Sequence, residues 1–205
     1  MNIKRLHYLS GLTLLVFITL HLFNHFMSVF GAETHIWVMD NVRLFYRNTI
    51  IEVILTLAVL TQIISGLKLF FKKRKTGNAF FDRLQIWTGL YLAVFLVIHI
   101  SAVFIGRLYL QLDTNFYFGV AGLNSFPLNL FFIPYYGLAI FSIFGHLAAV
   151  HNKKMKQNLL GLTPNKQSKS ILFLGACLTI LIFYGLTNHF NRVNIPIEYN
   201  VLIGK

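Results

Sequence analysis

Residues 6–30, LHYLSGLTLLVFITLHLFNHFMSVF, decide the fold: the run is long enough to cross a bilayer, yet His21, Asn24 and His25 stand well inside it. Spaced three and four residues apart, these polar groups share one helical face. An ionisable side chain at that depth costs at least about 2.5 kcal/mol unless protein, metal or water receives it. The first helix must therefore turn this stripe inward, away from lipid.

Composition points to the same class. Of 205 residues, 56% are apolar, 16% aromatic and only 12% charged. Mean hydropathy is +0.65. Backbone polar groups in hydrocarbon must be paired within a helix or a closed barrel, and the apolar runs are continuous rather than alternating. The expectation is an all-α integral membrane bundle, not a β-barrel. A net charge of +12 would suggest nucleic acid in a soluble chain, but Lys and Arg lie in short connections between apolar runs, so they report topology and no nucleic-acid partner is expected. The single cysteine, Cys177, has no intrachain partner and supports neither a disulfide framework nor a thiolate metal site. Lys4 and Arg5 precede an apolar run that is too long for a signal h-region and lacks a small-residue cleavage site, so the first helix is expected to be retained.

The hydropathy pattern predicts five spans in one transmembrane domain covering 1–205, at about 6–30, 48–71, 84–106, 129–151 and 170–188. The connection from Arg107 to Pro127 contains FYFGVAG and is expected along the membrane interface, where Tyr109, Phe116, Tyr117 and Phe118 suit the headgroup region. Thirteen of the 18 Lys and Arg residues fall on one side: Lys4, Arg5, Lys68, Lys72, Lys73, Arg74, Lys75, Arg83, Lys153, Lys154, Lys156, Lys166 and Lys169. The positive-inside rule then predicts a multi-pass protein of the cytoplasmic (inner) membrane, N-terminus in and C-terminus out.

With that topology, His21 and His99 each lie about 15 residues, or roughly 22 Å, from the cytoplasmic start of a helix running outward. Two imidazoles on neighbouring helices at matched depth in the outer half can hold a haem b by both axial positions. The alternative is that each merely hydrogen-bonds a neighbouring helix, worth about 1 kcal/mol. Gln62 and His146 fall in the cytoplasmic half, with His151 nearer the surface.

These residues resemble the five-helix cytochrome b membrane-anchor subunits of succinate dehydrogenases and fumarate reductases. The matching pieces are Arg5-Leu6-His7, His21-Leu22 with Asn24, Arg47 with Glu52, Gln62 followed by Ser65-Gly66, Leu84-Gln85 with Thr88-Gly89, His99 and His146, over about residues 5–152. The resemblance implies His21 and His99 as ligands of the outer haem and His146 as the fourth-helix ligand of an inner one. Where the family places the second-helix ligand this chain has Gln62, a poor axial ligand, so one haem is expected, with Gln62 and His146 bonded to each other. The resemblance also implies electron transfer between a quinone, the possible substrate, and partner flavoprotein and iron–sulfur subunits in the cytoplasm. The chain itself carries no flavin or iron–sulfur motif and would be a non-catalytic electron-transfer subunit. A haem-free structural or assembly protein and a stand-alone membrane cytochrome b are the alternatives.

Other polar residues have two readings each. His25 reaches a haem propionate or quinone oxygen, or packs against Asn24. Glu52 exchanges a proton with a quinone, or caps its helix beside Arg47. Arg43 and Arg47 pair with propionates, or anchor the chain at the lipid interface. His35 in the first connection and His189 after the last span have no evident partner. Lys72, Lys73, Arg74 and Lys75 set topology, or dock an acidic subunit or anionic lipid.

Overall fold

Three of the five spanning helices start at a residue that caps them. Asn2 and Asn48 cap their helices by accepting from the backbone N–H of Lys4 and Ile50, and Thr163 does the same for Lys166 with Pro164 at the first helical position. The computed structural model describes residues 2–75 and 79–205. It contains α1 (Ile3–Met27), α2 (Ala32–Tyr46), α3 (Thr49–Lys73), α4 (Phe80–Phe104), α5 (Phe116–Asn124), α6 (Asn129–Lys154) and α7 (Pro164–Leu186), with no β-strand among the described residues. Five of these, α1, α3, α4, α6 and α7, are long and apolar enough to cross a membrane, so the chain is an all-α, multi-pass membrane protein.

The five spans close into a ring, α1 against α3, α3 against α4, α4 against α6, α6 against α7, and α7 back against α1. Successive spans run in opposite directions. Lys153 at the end of α6 pairs with Asp82 at the start of α4 at 2.6 Å, and Lys154 lies 3.7 Å above the ring of Tyr8 in α1. These contacts mark the near end, which holds the N-terminus. At the far end Arg107, in a π-turn continuing α4 over Ile105–Tyr109, pairs with Glu52 in the first turn of α3.

Two connections differ from their expected form. The first is a 15-residue helix, α2, whose buried residues His35, Val38, Met39 and Arg43 form one helical stripe, while Trp37 and Leu44 are exposed. The second, α5, is not laid on the surface. Phe116, Val120 and Leu123 are buried with Leu22 of α1, Ile140 of α6 and Ile182 of α7, so α5 plugs the far end of the bundle. Of the aromatic residues assigned to the headgroup region, Tyr109 alone is strongly exposed. Burial wins at Phe116 because three apolar helices offer it a dry pocket.

Candidate functional site

In α1, Phe17 stacks on His21 with ring centres 5.6 Å apart, and in α4 Phe95 stacks on His99 at 5.0 Å. Both phenylalanines stand four residues before their histidine, one helical turn toward the N-terminus, which is the direction helical side chains lean. The two histidines face each other with ring centres 6.1 Å apart and planes at 70°. The helices carrying them are not ring neighbours, so this approach crosses the interior of the bundle. Tyr136 of α6 lies 6.5 Å from His99.

His21 and His25 also meet, Nε2 to Nε2 at 3.2 Å, a contact with one proton to share. His25 Nδ1 lies 3.4 Å from His35 Nε2, which also accepts from the Asn24 amide at 3.2 Å. His35 is thus not a loop residue without a partner but a member of the site, only 2% exposed. The signal that would have found it is the spacing of His35, Val38, Met39 and Arg43, which traces a helical stripe. Asn24 Oδ1 and His35 Nδ1 are buried without a hydrogen-bond partner among the described residues.

Above this cluster lies a charged layer. Arg43, 8% exposed, pairs with Asp113 at 3.0 Å and with Asp40 at 3.4 Å, and its Nε has no partner among the described residues. Arg47 donates to Thr114 Oγ1 at 3.2 Å rather than meeting Glu52, which belongs to Arg107. Burial and the neighbouring charges of Arg43 and Arg107 hold the Arg47 pKa below its ordinary value. Three guanidiniums therefore converge near the far end with three carboxylates, Asp40, Asp113 and Glu52, Arg47 lying 3.8 Å from Asp113.

The near half departs from expectation at Gln62. Its amide donates to the backbone carbonyl of His7 at 2.7 Å, and no hydrogen bond joins it to His146 among the described residues. His146 instead faces His7, with ring centres 6.4 Å apart. His151 bonds Gln167 at 2.8 Å, and His189 bonds the Val29 carbonyl at 3.1 Å.

Two imidazoles binding one metal ion through opposed nitrogens stand about 6 Å apart between ring centres, with about 2 Å for each metal–nitrogen bond and about 1 Å within each ring. The His21–His99 separation of 6.1 Å fits. His99 makes no hydrogen bond among the described residues and has its coordinating nitrogens to offer. Metal binding at His21 would redirect Nε2 from His25, leaving His25 to His35. No group of three or more His, Cys, Asp or Glu side chains converges to hold a bare metal ion among the described residues. A metal that brings its own equatorial ligands, as in a porphyrin, needs only two. No family model matches the chain, and neither a curated protein nor a solved structure matches it.

Proposed function

We propose that the chain is a membrane cytochrome b that holds haem b between His21 and His99. As the anchor of a cytoplasmic oxidoreductase resembling succinate dehydrogenase or fumarate reductase, it passes electrons between that partner and a quinone pool. The observation that carries the reading is the pair of inward imidazoles at 6.1 Å, each braced by a stacked phenylalanine. His21 and His99 would hold the haem, which would supply one-electron transfer. The residues around it do the rest. Phe17 and Phe95 fix the planes of the two imidazoles and exclude water beside them. Arg43, Arg47 and Arg107 supply guanidinium donors that propionate carboxylates would share with Asp40, Asp113 and Glu52. Glu52, held by Arg107, is placed to take or release the proton that accompanies quinone chemistry at the far end.

A reduced-minus-oxidised spectrum of the purified chain, with a pyridine haemochrome count, tests the reading. A low-spin b-type band is expected, and His21→Ala and His99→Ala should each lower the count by one haem per chain. An unchanged count in His99→Ala would reject the ligand pair. No band in freshly prepared wild type would leave a haem-free bundle, its histidines satisfied by contacts such as His21 to His25.

A further inference from the structure

We propose that His7 and His146 are the axial ligands of a second haem b, set in the half of the bundle nearer the N-terminus. This rests on the cytochrome reading and deepens it. It also replaces the single haem expected from Gln62, because the missing ligand is supplied by α1 rather than α3.

The two histidine pairs share one geometry. Ring centres stand 6.4 Å apart with planes at 68° for His7 and His146, against 6.1 Å and 70° for His21 and His99. Neither pair joins ring neighbours: α1 and α4 carry one, α1 and α6 the other, and both span the interior. At 6.4 Å between centres the rings are too far apart to hydrogen-bond directly and suitably spaced for one metal atom.

The hydrogen bonds at the back of each ring prepare it for ligation. His7 Nδ1 lies 2.8 Å from Ser65 Oγ, whose own proton goes to the Thr61 carbonyl. His146 Nδ1 lies within 3.5 Å of Thr88 Oγ1, whose proton goes to the Leu84 carbonyl, and the Gln85 carbonyl also lies on that ring. A hydroxyl that has donated its proton can only accept, so the network assigns the Nδ1–H tautomer to both rings and leaves each Nε2 lone pair free for a metal. Orienting a histidine through its second nitrogen in this way is a general feature of metal ligands.

Room and charge agree. A Cβ at Gly89 would lie 3.3 Å from His146 Cε1, so glycine keeps the edge of that imidazole clear, while one at Gly66 would meet His7 Cε1 at an ordinary 3.5 Å. Lys73 acts electrostatically on His7, and Lys153, paired with Asp82 at 2.6 Å, acts on His146. Gln62 is a weak competitor for the metal, because its amide nitrogen is committed to the His7 carbonyl and the amide oxygen that remains is a poor ligand for haem iron. With only two protein donors, the remaining coordination must come from the bound group itself, which selects a metalloporphyrin over a bare ion. Fourteen residues of α1 separate His7 from His21, about 21 Å of helix, so the second haem would divide the path between the near end and the first.

The test is a haem count with electron paramagnetic resonance on the purified full-length chain. Two haems per chain and two low-spin signals are expected. His7→Ala and His146→Ala should each leave one haem, the one that His21→Ala removes, and its survival reports that the variant is folded. Gln62→Ala should keep both. One haem per chain, lost in His21→Ala and untouched in His7→Ala, overturns the second site and leaves the cytochrome reading standing. No haem at all overturns both. If His7→Ala loses both haems, His7→Met decides, because methionine also ligates haem iron. Return of the second haem with an altered signal supports the ligand role, and failure to return overturns it.

Discussion

At the scale of single residues, His35 shows what burial does to an ionisable group. Its pKa is lowered to about 4, first because burial penalises the imidazolium, then because His21 and Arg43 stand near. The unfolded chain takes up a proton below the ordinary value of 6.5, whereas folded His35 resists one until about pH 4. Its contribution to stability is complete above 6.5 and is lost as pH falls through that window, a difference of about 3 kcal/mol. Thermal unfolding in detergent should therefore drop between pH 7.5 and pH 5, and less so in His35→Gln; an equal drop in the variant would reject the assignment. The groups facing His35 are Asn24 and His25 of α1, Phe116 of α5 and Arg43 of its own helix, with His21 beyond His25. Residues of this kind were only half legible. His21 and His99 stood out because they interrupt spans long enough to require explanation, and the depth arithmetic paired them. His35 and His7 did not, since one lies in a connection and the other at a helix start, where a polar residue needs no special reason.

At the scale of elements, length and hydropathy identified the five spans because a bilayer imposes its thickness on any helix that crosses it. The two short helices obey no such rule. Whether the aromatic residues of α5 meet headgroups or protein depends on Leu22, Ile140 and Ile182, residues from three other helices. Close packing of α7 was likewise invisible beforehand, and glycine is what permits it. A Cβ at Gly185 would collide with Ser28 Oγ and with the backbone of Ser28 and Val29, none of which can swing aside as a long side chain would. Gly119, in α5, would carry a Cβ that meets nothing within 4 Å. Gly185→Ala should thus destabilise the bundle by about 1–3 kcal/mol or more, whereas Gly119→Ala should be neutral or slightly stabilising through helix propensity. Thermal unfolding of the two variants side by side checks this, and similar stabilities would show that α7 does not seat as closely as described.

At the scale of the whole molecule, the distribution of charge predicts which way the bundle faces. The near end gathers 13 of the 18 cationic side chains, while Arg43, Arg47, Arg107, Arg192 and Lys205 occupy the far end, most of the arginines there already engaged with acids or hydroxyls. Positive loops are retained on the cytoplasmic side, so the expected orientation is near end in, far end out. In a Cys177→Ala background, Lys205→Cys should react with a membrane-impermeant maleimide on intact cells, and Lys156→Cys should react only after the membrane is opened. Reversed labelling would reject the orientation without disturbing the fold. It would also change what each histidine pair does. Under the proposed function, with the near end inside, the His7–His146 pair would be the one a cytoplasmic redox subunit reaches, and His21–His99 with Glu52 would lie toward the outer leaflet. Facing the other way, the same partner would meet the arginine layer first, a surface that already holds Asp113 and Glu52, and the lysine-rich end would contribute nothing to docking.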